Sequence, residues 1–344
     1  MISAPIEDTQ AILLLCAKLG QRDGSAPALN PRQYTALASW LHERSMRPGN
    51  LLHSNGRAQL ADLQLKGLDR DRLERLLDRG AVLGLMLERW SRSGIWIVTR
   101  EDEEYPPRCR SYLQHAAPPI LYGVGEQSSL QNGGLAIVGS RHASEEDLAF
   151  ANRLGHACAE QKIAVISGAA KGIDSESMVA ALKQRGSAIG VLADGLGRAA
   201  VSAPHHDAIL EGRLTLISPY EPESQWFAFT AMERNKLIYA LADAAVVVAA
   251  SDEQGGTWAG AVEALKQGQI PIYVKAFGEA SVGNRKIIEA GGQEFPPDAH
   301  VNLVQLFNTP PAKLTLVRQT KSARNKPNQG NCNDTIRDIY RHSP

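Results

Sequence analysis

"GLAIVGSRHASEEDLAFANRLGHACAEQKIAVISGAAKGID" (residues 134–174) decides the fold. Two short apolar runs, 134–140 and 162–168, bracket a stretch near 145–160 whose apolar residues recur three and four apart, the spacing of an amphipathic helix. The runs are continuous rather than alternating, so both faces of each strand are expected to be covered, as in a parallel sheet. Ser144 precedes the acids of "SEED" and reads as the cap of the intervening helix. The same unit recurs downstream. "SAIGVLADG" (187–195) follows a helix near 174–185, "RLTLISPY" (213–220) precedes one near 230–242, and "AAVVVAA" (244–250) precedes one near 257–267, with "IPIYVKA" (270–276) after it. Strands alternating with helices predict an α/β fold with a doubly wound, mainly parallel sheet, whose ligand lies beyond the carboxyl ends of the strands.

Upstream of that sheet the period is helical. "AILLLCAKLG", "PRQYTALASWLHERS" and "DRDRLERLLDRGAVLGLMLERWSRS" predict a small helical domain over residues 1–92. Residues 94–125, with a short apolar strand, two proline pairs and a second apolar run, read as a connecting lead-in, and the sheet domain with its lead-in takes 93–310. Residues 311–344 form a basic tail, expected to be flexible, in which "KLTLVRQTKSARNK" carries five basic residues and no acid.

The bulk numbers exclude more than they assign. In 344 residues, 37 Lys and Arg balance 37 Asp and Glu, so any anion site must be local rather than a product of net charge. The four cysteines, at 16, 109, 158 and 332, form no C-x-x-C pair, which argues against a zinc site or a disulfide framework. No apolar run reaches the ~20 residues a bilayer requires, and a soluble, cytoplasmic protein is expected. The Walker pattern is absent. "DGLGRAA" has the shape of a dinucleotide fingerprint but Pro204 stands where its helix should begin, and the adjacent His205, His206 and Asp207 read as a surface turn.

Three strand ends carry unusual residues: Ser140 and Arg141; Ser167, Gly168, Lys171 and Gly172; and Gly255, Gly256 and Thr257. On one rim of a parallel sheet these can converge on one groove. The glycines either supply unusual backbone angles for tight turns or bare backbone N–H groups and Lys171 toward a phosphate. Arg234, Asn235 and Lys236 open a further helical stretch, and Trp258 is the aromatic expected on the same rim.

These signals, in this order, resemble the DprA/Smf family of DNA-processing proteins. The family's G-S-R turn, S-G-x-A-x-G-I-D loop and R-N-R segment stand here as "VGSR" (138–141), "SGAAKGID" (167–174) and "RNK" (234–236). The resemblance covers roughly residues 10–300. It implies an extended Rossmann-like domain, a SAM-like helical domain, single-stranded DNA as ligand, a homodimer, and loading of a RecA-type recombinase, with no cofactor, metal, catalytic cycle or membrane. By that resemblance Arg141 and Lys171 meet phosphates, Ser167 and Gly168 offer donors, and Arg234 with Asn235 shapes the groove. Lys236 replaces the family's arginine, which keeps charge and loses bidentate geometry. "EQGGTWAGAVEAL" replaces the usual S-G-[ST]-x-x-T-A stretch, and no winged helix follows residue 310; both imply a divergent subgroup. The same stretch is similar to the P-G-G-x-G-T-x-x-E motif of phosphoribohydrolases that cleave nucleoside monophosphates, with Glu263 as the carboxylate. A nucleotide-sensing domain is the other alternative.

Overall fold

The computed structural model describes residues 7–20, 25–197, 203–252, 255–297 and 302–311. Its strands are β1 (Trp96–Thr99), β2 (Ile120–Val124), β3 (Leu135–Gly139), β4 (Val165–Ser167), β5 (Ala188–Val191), β6 (Leu214–Ser218), β7 (Ala244–Ala249), β8 (Ile272–Val274) and β9 (Gln293–Glu294). They form one sheet in the order β1-β2-β6-β5-β4-β3-β7-β8-β9. From β6 to β9 every pairing is parallel, as the apolar runs predict. The lead-in departs from its reading as a connection: β1 and β2 pair antiparallel with each other, and β2 pairs antiparallel with β6. The apolar run "ILYGV" is buried throughout, so it extends the sheet instead of crossing the surface.

The helices are α1 (Glu7–Cys16), α2 (Pro31–His42), α3 (Ser54–Ala58), α4 (Arg70–Leu77), α5 (Gly80–Arg92), α6 (Pro107–Leu113), α7 (Glu145–Glu160), α8 (Ile173–Lys183), α9 (Ala203–Leu210), α10 (Ala228–Leu241), α11 (Gly255–Gln267), α12 (Val282–Glu289) and α13 (Leu303–Phe307). Alternate residues of each strand feed two cores. Leu135, Ile137, Val165 and Val246 pack against α7 and α8, whereas Ala136, Val138, Ile166 and Val247 pack against α10 and α11. Fully burying each such Leu, Ile or Val stabilises the fold by about 1.5–3 kcal/mol relative to exposure. The first core continues into α1, α2, α4 and α5, where Trp90 meets Tyr122 of β2 edge to face at 5.3 Å. Ser144 caps α7, its hydroxyl accepting the Asp147 N–H at 3.2 Å.

His205, His206 and Asp207 belong to α9 rather than to a turn. Pro204 is tolerated because it occupies the first helical turn, where its missing N–H has no intrahelical partner to lose. Residues 312–344, most of the expected tail, lie outside the described residues, as do 198–202, which include the last three residues of the "DGLGRAA" stretch. No helix among the described residues is long and apolar enough to cross a membrane.

The strand order places the functional rim. The chain runs outward from β3 through β4, β5 and β6, then returns to the other side of β3 as β7. The loops after β3 and β7 therefore leave toward opposite faces, opening a crevice at the carboxyl ends of the strands.

Candidate functional site

A pocket of about 470 Å³ lies at the ends of β3, β4 and β5, bordered by Arg141, His142, the 168–171 loop, Asp194, Trp226 and Arg234. The turn after β3 is held from two sides. The Ser140 N–H donates to the Ala249 carbonyl of β7 at 2.9 Å, and the Thr257 hydroxyl donates to the Gly139 carbonyl at 3.1 Å. This fixes the backbone from which Arg141 projects. Arg141 is exposed, and its guanidinium carbon lies 4.8 Å from the Trp226 ring centroid, within cation–π range. Lys171 is exposed at the crest of the loop between β4 and α8. Neither cation has an acidic partner among the described residues.

Beneath them two opposite charges are buried within each other's field. Asp174, in the first turn of α8, is 7% exposed, and the backbone N–H groups of Gly139, Gly168 and Ala170 favour its charged form. Burial pushes its carboxyl above the ordinary range, with Arg234 and the three N–H groups opposing the shift. Arg234 is 4% exposed and donates to the Val191 carbonyl at 2.8 Å. Burial lowers its guanidinium, Asp174 opposing. Gly168 is demanded by this pair, because a Cβ there would overlap the Arg234 guanidinium and crowd the Asp174 carboxylate. Gly172 takes φ +93°, and a Cβ would come 2.6 Å from the Ser140 carbonyl. Gly172 thus seats the loop against the turn after β3 and Gly168 seats it on Arg234, and the groups left free for a ligand are the two side chains above.

The structure separates the remaining sequence-expected residues. The Ser167 hydroxyl is buried and donates to the Ile137 carbonyl at 2.6 Å. Asn235 donates to the Gly256 carbonyl at 3.0 Å and ties α10 to α11. Lys236 turns away from the pocket, 3.0 Å from Glu233 and 3.6 Å from Glu263. Gly255, Gly256 and Thr257 open α11 beside the turn after β3, but do not border the pocket. Glu263 borders a separate small hollow with Tyr112, Lys236 and Tyr239, apart from Arg141 and Lys171. Trp258 packs against the core shared with α10 and α11. The aromatic at the pocket is Trp226, 44% exposed, followed by Phe227 and Phe229 at 50% and 65%. "QWFAF" (225–229) held the signal, three aromatics in a stretch that no apolar period claims. Asp194 and His142 were likewise not singled out by residue type.

Unpaired cations beside an exposed indole can neutralise phosphate and stack a base, which is the combination single-stranded nucleic acid requires. The family model described as DNA recombination-mediator protein A matches residues 96–302. The DNA processing protein DprA of Bacillus subtilis is 27% identical over 220 residues, covering 60% of this chain and 70% of that protein. Among solved structures, DprA from Streptococcus pneumoniae aligns with a TM-score of 0.55 at 19% identity, over 78% of this chain and 95% of that one. DprA from Helicobacter pylori, solved to explain its own single-stranded DNA binding mode, aligns at 0.50 and 24% identity over 63% of this chain and 96% of that one. These two likenesses establish the shared doubly wound, Rossmann-like fold.

Proposed function

This chain belongs to the DNA recombination-mediator protein A family, the DprA/Smf group of DNA-processing proteins, and on that premise we propose that it binds single-stranded DNA in the pocket above β3, β4 and β5. The observation that carries the reading is the pairing of Arg141 and Lys171, cations without acidic partners among the described residues, with the exposed Trp226 ring under Arg141. Phosphates meet the two cations and one base stacks on the indole. Arg234, Asp174 and the two glycines hold the floor rigid, and Ser140, Ser167, Asn235 and Thr257 brace it. The pocket is assigned no catalytic step.

In the fuller reading the protein acts in the cytoplasm as a homodimer, pairing two short grooves on one strand, and hands that strand to a RecA-type recombinase. The helical domain (1–92) and the tail (311–344) flank the DNA-binding domain (93–310). Titration with single-stranded DNA, duplex DNA and nucleoside monophosphates tests the core of this. Tight binding of the single strand, with affinity falling steeply with salt, is expected. Binding of a mononucleotide in preference to the strand would overturn it in favour of nucleotide sensing, and release of free base in favour of hydrolysis.

A further inference from the structure

The pocket holds one unpaired carboxylate among its cations. Asp194 borders it together with Arg141, Lys171, Arg234 and Trp226. Its carboxylate makes no hydrogen bond and no ion pair among the described residues, and its charge reaches the buried Arg234 guanidinium. A carboxylate repels phosphate, so it is an odd component of a purely phosphate-binding surface.

The backbone around it is fixed. The Ser218 hydroxyl donates to the Asp194 carbonyl at 2.6 Å, the Gly195 N–H donates to the Ser224 carbonyl at 2.9 Å, and the Gly197 N–H donates to the Pro222 carbonyl at 2.9 Å. The same 218–224 segment leads directly into Trp226. One clamp therefore holds the backbone of Asp194 and the approach to the exposed indole, and the two side chains line the same pocket, so a base stacked on the ring shares that space with an acceptor.

We infer that Asp194 reads bases: it accepts from the exocyclic amino group of the base stacked at Trp226, so the pocket prefers amino-bearing bases to thymine. An ionised carboxylate is acceptor-only. Cytosine offers its N4 amino group and adenine its N6 amino group, and Asp or Glu accepting from cytosine N4 is an established pairing. Thymine presents carbonyl O4 where cytosine presents the amino group, so two acceptors would face each other with no proton between them. The charges thus divide the pocket, phosphates toward Arg141 and Lys171 and base edges toward Asp194.

This inference rests on the single-stranded DNA reading and is tested together with it. Dissociation constants are measured for oligo-dC and oligo-dT of equal length, at one salt concentration and neutral pH, with the wild type and with Asp194→Asn. The wild type should bind oligo-dC about tenfold more tightly than oligo-dT, the scale of one hydrogen bond to a charged group. Asp194→Asn, which presents both a donor and an acceptor, should bring the ratio near one, chiefly by strengthening oligo-dT binding. Equal affinities in the wild type, or a ratio that the substitution leaves unchanged, would overturn the base-reading role while leaving DNA binding intact. Failure of the wild type to bind either oligonucleotide would overturn the DNA reading itself and this inference with it. The wild-type ratio decides the matter even if the variant folds poorly.

Discussion

Lys275 and Lys171 both follow a strand of the same parallel sheet, and they are put to opposite uses. Lys275, just past β8, is 1% exposed and lies between Glu146 at 2.9 Å and Asp147 at 2.8 Å. Lys171, in the loop after β4, stands in solvent with no ion pair among the described residues. The arginines repeat the contrast, since Arg234 is buried against Asp174 whereas Arg141 touches an aromatic face. Charge that has an internal partner holds the rim in shape, and charge that lacks one is available to a ligand. A basic residue at a strand end is therefore evidence for a site only after its partners are known.

The sharpest way to break this contrast is through Asp174. Asp174→Ala leaves Arg234 buried without the charge that opposes its desolvation, and should cost about 3–5 kcal/mol of stability. Lys171→Ala should stay within about 0.5 kcal/mol. Denaturant unfolding of the two variants gives both numbers, and equal losses would erase the distinction between internal and available charge.

Next in size is the joint change Arg141→Ala with Lys171→Ala. Single-stranded DNA affinity should fall by about tenfold or more, and the slope of log affinity against log salt should flatten by about 0.7 for each phosphate that is no longer neutralised. Thermal stability should barely move. Arg234→Ala should do the reverse, lowering stability before any direct effect on the salt slope.

Trp226→Ala should cost about 1–3 kcal/mol of binding if a base stacks on it, with the salt slope unchanged. Trp258→Ala should instead lower the melting temperature, because that ring packs into the core. A binding loss confined to Trp258→Ala would return the aromatic role to α11.

The smallest effect concerns alkaline pH. Burial alone would lower the Lys275 ammonium, but its hydrogen bonds to Asp147 and Glu146 outweigh that and raise it above the ordinary lysine range. A raised value in the folded state means that the stabilisation is fully present below the unfolded lysine pKa and is lost as pH rises through the folded one. Wild-type protein should thus lose more stability than Lys275→Met between neutral and strongly alkaline pH.

Residue type and position alone were enough to pick out Arg141 and Lys171, because exposed cations in strand-end loops need no tertiary information to be noticed. Arg234 needed a further step. It shares a helical face with Leu237, Ile238 and Leu241, all buried, and that spacing already turns it inward while Asn235 and Lys236 leave on other faces. The same count applied to Trp258, Ala261 and Leu265 points that indole at the core. The β3–α7–β4 unit was legible because its neighbours are local and its strands are apolar throughout. The apolar runs of β1 and β2 were legible but their place in the sheet was not, because β2 pairs with β6, about ninety residues later in the chain, and no local period encodes such a partner. Asp194 was hidden for the related reason that its neighbours in space come from 168–171, 226 and 234.

The Asp174 carboxylate also bears on motion. Its charge is favoured by the N–H groups of Gly139 at the end of β3 and of Gly168 and Ala170 in the loop after β4, so two segments from different strands share one buried group. Loop amides ordinarily exchange with solvent through cheap local opening, but these three can open only by uncovering the buried Asp174 carboxylate and Arg234 guanidinium. Their deuterium uptake should match that of the strand interiors and stay unchanged when DNA is added. A strand arriving at the pocket then meets a floor that is already ordered, and the entropy lost on binding falls on the Arg141 and Lys171 side chains and on the DNA itself.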